Sequence, residues 1–76
     1  MTTLASLKIG DSARVVQISG VDEISVRLME MGLIPGVDVR VIGRALLGDP
    51  LELELRGYRL SLRRSEAERV EVSSAI

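Results

Sequence analysis

No cysteine, histidine, tryptophan or phenylalanine occurs in the 76 residues, and Tyr58 is the sole aromatic side chain. Without cysteine there is no disulfide, thiolate nucleophile or soft-metal ligand. Without histidine the chain lacks both the commonest zinc ligand and the side chain most used for proton transfer near neutral pH. Few enzyme mechanisms survive these absences. The carboxylates are scattered from Asp11 to Glu71 with no DxDxD-like cluster, so neither a metal centre nor a bound cofactor is expected. One aromatic ring is too few to stack single-stranded nucleic acid or to line a groove that reads proline-rich peptides.

Charge of one sign is also lacking. The net charge is −1 with no lysine-rich tail, so no global field draws nucleic acid or anionic lipid. Nine of the ten basic residues are arginine, as carboxylate or phosphate recognition or a GC-rich genome would produce. No apolar run approaches the ~20 residues of a membrane span, because Lys8, Arg14, Arg27, Arg40 and Arg44 interrupt the sequence. The first ten residues, MTTLASLKIG, have neither the basic start nor the apolar stretch of a signal peptide, and a cytoplasmic location is expected.

What is present is apolar residues, 46% of the chain. A single domain over 1–76, with its core over about 4–72, lies near the size where a hydrophobic core only just offsets conformational entropy. Residues 13–19, ARVVQIS, are rich in β-branched side chains and predict a first strand ended by Gly20. The period then changes. Ile24, Leu28 and Met31 fall on one helical face, with Asp22 suited to the N-cap and Val21 placed to staple onto Val26. Gly32 suits a left-handed helix end that brings Leu33 onto Leu28, and Pro35-Gly36 stops resumption.

From Val37 to about Ala45, alternation of valine with Asp38 and Arg40 predicts a half-buried strand. After the Gly48-Asp49-Pro50 break, Leu51, Leu53 and Leu55 alternate with charges, and Leu60 and Leu62 do so beyond Gly57-Tyr58. That is a hairpin. A type II′ turn at Gly57-Tyr58 would oppose Leu55 to Leu60, Leu53 to Leu62 and Glu52 to Arg63. Residues 65–69 predict one helical turn capped by Ser65, and Val70-Glu71-Val72 a closing strand. The expected fold is mainly β: a small SH3-like five-stranded barrel with one short helix inserted after the first strand, its edges hidden by closure.

RLMEMGLIPGVDVRVI (27–42), followed by LGDPLELELRGYRLSLRRSEAERVEV (47–72), resembles the FeoA family, small cytoplasmic proteins of bacterial ferrous iron transport. LASLKIGDSARVVQI (4–18) fits that family's opening. The specific part is MGL-x-PG joined to GDP-(strand)-RGY-(strand)-LRR-x-EA; Leu46 stands where the family pattern often has proline. The resemblance implies an SH3-like barrel, a cytoplasmic location, and as partner FeoB, the membrane protein with a cytosolic GTPase domain that moves ferrous iron.

The expected function is therefore a non-catalytic accessory that binds FeoB and regulates or assembles it. Met29 has no buried partner on the helix, and with Leu33, Ile34 and Ile42 it forms the candidate apolar docking surface, where weak self-association is also expected. Ile42 could instead pack on the Leu46-Leu47 loop. Arg56, Arg59, Arg63 and Arg64 form a candidate basic stripe on the charged hairpin face, suited to acidic residues of a GTPase domain. Tyr58 should lay its ring on leucine and keep its hydroxyl in water. Two rival readings have different signatures. A nucleic-acid-binding SH3-like barrel would need a basic surface, and a relative of the C-terminal barrel of iron-dependent repressors would need partner domains.

Overall fold

Helix and strands grow out of signals at their own ends. In the computed structural model, which describes residues 2–74, the Asp22 carboxylate accepts the Ser25 N–H at 3.1 Å and caps α1 (Glu23–Glu30). The buried stripe of α1 is not the expected one. Leu28 is fully buried and Met31 half-buried, but Ile24 is 39% exposed while Ser25 is 1% exposed. Ser25 can be buried because its hydroxyl donates to the Asp22 carbonyl at 2.8 Å, and its small side chain lets the helix approach the sheet. The Val21–Val26 staple does not form, since both valines are exposed. Entry into the helix is held instead by the Asp22 carboxylate on the Arg69 guanidinium at 2.7 Å.

At the other end the Leu33 N–H donates to the Leu28 carbonyl at 3.2 Å and the Gly32 N–H to the Met29 carbonyl at 3.0 Å. This is a Schellman ending, with Gly32 at φ +105. It turns Leu33 into the core. Ile34-Pro35-Gly36-Val37 then reverses the chain, closed by Val37 N–H to the Ile34 carbonyl at 3.2 Å with Gly36 at φ +92. The turn is tied to β1 (Ser12–Ile18), because Gly36 donates to the Val15 carbonyl at 2.9 Å and Val15 donates to the Val37 carbonyl at 2.8 Å.

β2 (Asp38–Arg44) pairs with β1 through Ala13↔Val39 and with β3 (Leu51–Leu55) through Val41↔Leu53. The register slips between Val41 and Gly43, so Ile42 occupies a bulge and is half-buried, off the simple alternation expected of it. The hairpin of β3 with β4 (Tyr58–Leu62) turns at Arg56-Gly57, both at positive φ of +50 and +82, as a type I′ turn requires. That corrects the expected register by two residues. Leu55 faces Tyr58, Leu53 faces Leu60, Leu51 faces Leu62, and the charge pair is Glu54 with Arg59.

The short helix α2 (Arg64–Ala67) starts earlier than expected, with Arg63 rather than Ser65 at the cap; the Glu66 carboxylate accepts the Arg63 N–H at 2.9 Å. β5 (Val70–Ser74) returns to pair with β1. All neighbours are antiparallel in the order β4-β3-β2-β1-β5, a mainly β fold with the helix after the first strand. Closure does not hide both edges. The outer edge of β5 takes a Thr3↔Glu71 bridge and a Val72 N–H to Thr2 carbonyl bond at 2.9 Å, whereas among the described residues β4 pairs with β3 alone. The core is leucine and valine from every strand, with Leu4, Leu28, Leu33, Ala13 and Ala67. No aromatic ring fills it.

Arg69, and after it the Ser25 N–H, hold the Asp22 carboxyl down to about 2. A carboxyl depressed in the folded state stabilises above its unfolded value near 4 and loses that contribution as the pH falls through the folded value. Asp22→Asn keeps a capping side chain but loses the ion pair, so it should be less stable than wild type at neutral pH. The gap in denaturation midpoint should close between about pH 4 and pH 2; a gap unchanged down to pH 2 refutes this role for the carboxylate.

Candidate docking surface

The helix exit sets which side chains face solvent. Met29 is 42% exposed and Ile34 37% exposed. Leu33, expected between them on the surface, is fully buried, because the left-handed Gly32 swings the next residue inward. Ile42 is half-buried in its bulge. It does not rest on the neighbouring loop, since Leu46 and Leu47 are 90% and 96% exposed and touch almost nothing. That leucine pair was the apolar feature sequence reading misplaced. The signal was present in LLGDP, where both leucines stand just before a Gly-Asp-Pro break.

The exit is locked from the hairpin. The Tyr58 hydroxyl donates to the carbonyl of Met31, the residue that caps the C-terminal end of α1, so it is not left to water as expected. A Cβ on Gly32 would meet the same hydroxyl. The entry is locked from α2 and the start of β5. Arg27 pairs with Glu66, and Arg69 pairs with Asp22 while its backbone carbonyl accepts the Ser19 N–H at 2.8 Å. Sequence reading missed Arg27, Glu66 and Arg69 because nothing local marks pairs 39 and 47 residues apart.

The arginines do not form one stripe. Arg56 sits in the hairpin turn and Arg59 beside it on β4, opposite Glu54. Arg63 and Arg64 lie beyond the other end of β4, a strand length of roughly 13 Å away at 3.3 Å per residue. Arg64 is engaged locally, with its N–H on Asp49 at 3.0 Å and its side chain 3.9 Å from Glu68. All four are exposed.

The chemistry available is limited. Asp22 and Asp38 are held below the usual carboxylate range, each by an arginine and each exposed, the opposite of what a general acid needs. Among the described residues no three acidic side chains converge to hold a metal ion. A groove of about 410 Å³ crosses the sheet, but Asp38 and Glu54 line it together with Arg40 and Arg56, so it favours neither sign of ligand. What remains is surface.

The FeoA domain model matches residues 2–74. The chain belongs to the FeoA family. A Porphyromonas gingivalis protein described as an Fe(2+) transport protein A/Fe(2+) transporter FeoB fusion is 36% identical over 69 residues. That alignment takes in 91% of this chain but 8% of the fusion protein's length. The solution structure of the FeoA protein from Chlorobium tepidum superposes with a TM-score of 0.89 at 37% identity, over 99% of this chain and 71% of that one. Stenotrophomonas maltophilia FeoA complexed with zinc, described as a procaryotic SH3 domain protein, superposes at 0.85 with 35% identity over 96% and 91% of the two chains. The expected SH3-like FeoA fold is therefore established.

Two substitutions at the exit separate a hydrogen bond from a close approach. Tyr58→Phe removes only the hydroxyl bond to Met31 and should cost about 0.5–1.5 kcal/mol in urea denaturation. Gly32→Ala forces a side chain into left-handed backbone and onto the Tyr58 hydroxyl, and should cost more than Tyr58→Phe. Equal or smaller loss in Gly32→Ala would mean that the exit is not packed this way.

Proposed function

We propose that this FeoA domain is a non-catalytic accessory of ferrous iron uptake that works in the cytoplasm by binding the cytosolic GTPase part of a FeoB transporter. The observation that carries the reading is the P. gingivalis relative, described as a fusion of transport protein A to FeoB in one polypeptide. A covalent link keeps two modules at high effective concentration, which is useful when they must meet. The chain's own residues agree in two ways. They offer no nucleophile–base pair for chemistry. They do offer Met29 and Ile34, two exposed apolar side chains on either side of a rigid helix end.

Met29 and Ile34 serve as the anchors, with Arg56 and Arg59 at one end of the hairpin and Arg63 and Arg64 at the other steering acidic groups of the GTPase domain. Ile42, in its bulge, adds apolar contact. Heteronuclear spectra of the labelled chain, titrated with the FeoB GTPase domain in its GDP form and with a non-hydrolysable GTP analogue, test this. Shifts should cluster at Met29 and Ile34. Met29→Gln with Ile34→Gln should weaken binding at least about tenfold, or ~1.4 kcal/mol. Arg63→Ala with Arg64→Ala should slow association and flatten its salt dependence. Absence of shifts in both nucleotide states, and with full-length FeoB in detergent, would refute the proposal.

A further inference from the structure

β4 is the strand whose outer edge is left bare. β1, β2 and β3 each have a strand on both sides, and β5 is covered by Thr2 and Thr3. Among the described residues no second element runs along β4, and no loop backbone bonds to Arg59, Leu60 or Ser61. The two-residue turn makes Leu55 and Tyr58 a hydrogen-bonded pair, so by alternation Leu60 and Leu62 also bond inward to β3. The N–H and C=O groups of Arg59 and Ser61 therefore point outward. Edge strands usually carry a lysine, a proline or a bulge that discourages pairing. β4 has none of these, and the sheet's register shifts lie in the ladders of β1 with β5 and β2 with β3.

We propose that two copies of this chain associate by pairing β4 with β4 in antiparallel, about a two-fold axis through Leu60. The register follows from hydrogen-bond parity and charge. With the axis at Leu60, Arg59 lies opposite Ser61 of the second copy, and all four outward groups on each strand edge meet a counterpart. Moving the axis by half a residue sets outward groups against inward ones, and the ladder fails. Moving it by a whole residue puts Arg59 opposite Arg59 in one direction and opposite Arg63 in the other, like charges face to face. Only the Leu60 axis avoids this. It also builds a continuous cross-strand row of Glu54, Arg59, then Ser61 and Glu52 of the second copy, in which each arginine has a carboxylate beside it. On the opposite face Leu60, half-buried in one copy, meets Leu60 of the other, and exposed Tyr58 stands opposite the backbone of Leu62, whose side chain is buried in its own core.

Sedimentation velocity of the full chain up to about 1 mM tests the proposal. The weight-average mass should rise toward that of a dimer, with concentration-dependent amide shifts centred on Arg59 and Ser61. Ser61→Lys is the discriminating variant. Within one chain the new lysine faces Glu52 and leaves the fold intact, whereas across the axis it faces Arg59. Association should weaken at least about tenfold while the thermal midpoint stays at or above wild type. A wild-type chain that stays monomeric at about 1 mM overturns the proposal. So does undiminished association of Ser61→Lys, which would place the contact elsewhere.

Discussion

The left-handed backbone at Gly32 is the constraint on which the rest of the molecule's layout depends. α1 has to end within reach of β1 and send the chain back as β2, and seven residues, Met31 to Val37, separate the last helical residue Glu30 from the first strand pairing at Asp38. Gly32 at φ +105 closes the helix onto the carbonyls of Leu28 and Met29 and turns Leu33 into the core. A β-carbon there would be strained by the backbone and would also displace the Tyr58 hydroxyl. One backbone angle thus decides that Leu33 faces inward and that Met29 and Ile34 face outward.

The other end of α1 is held by charge more than by packing. Leu28 and Ser25 are the fully buried side chains of the helix, a narrow footing. Arg27 on Glu66 and Asp22 on Arg69 supply the remaining attachment. Exposed ion pairs are individually weak. These two are better placed than most, because Glu66 is itself largely enclosed and also accepts the Arg63 N–H, while Arg69 lies against the backbone at Gly20. The pairs fix the direction of the helix over the sheet. A surface held this way loses little entropy when something binds to it.

Much of this was legible in the sequence where the signal is local. Asp22 as cap, Gly32 with Leu33 as the helix end, Pro35-Gly36 as the turn, and the leucine alternation of the hairpin each depend on residues a few positions apart. Reading failed where the same pattern fits two arrangements. Ile24-Leu28-Met31 and Ser25-Leu28 both describe a stripe, and a buried serine is credible only once its hydroxyl has found the Asp22 carbonyl. A two-residue slip of the hairpin keeps every leucine on its face, so alternation could not choose between turns; the choice rested on Arg56 accepting positive φ beside Gly57. The arginine stripe failed because alternation was carried past Leu62, where the strand ends and α2 begins. Tyr58 on Met31 had no local signal at all.

Tyr58 also joins the two surfaces on which function is argued. Its backbone opens β4, and its hydroxyl holds the end of α1. A partner seated on Met29 and Ile34 is therefore mechanically adjacent to the strand edge that a second copy would need, and each contact bears on the conformation of the same tyrosine. Coupling between two bindings requires that one alter the free energy of the other. A ring shared between helix exit and strand edge supplies a physical route for that, in a chain otherwise too small to hold distant sites. In a chain with no histidine and no cysteine, the docking proposed above would act on its partner through such contacts, by geometry and occupancy of surface.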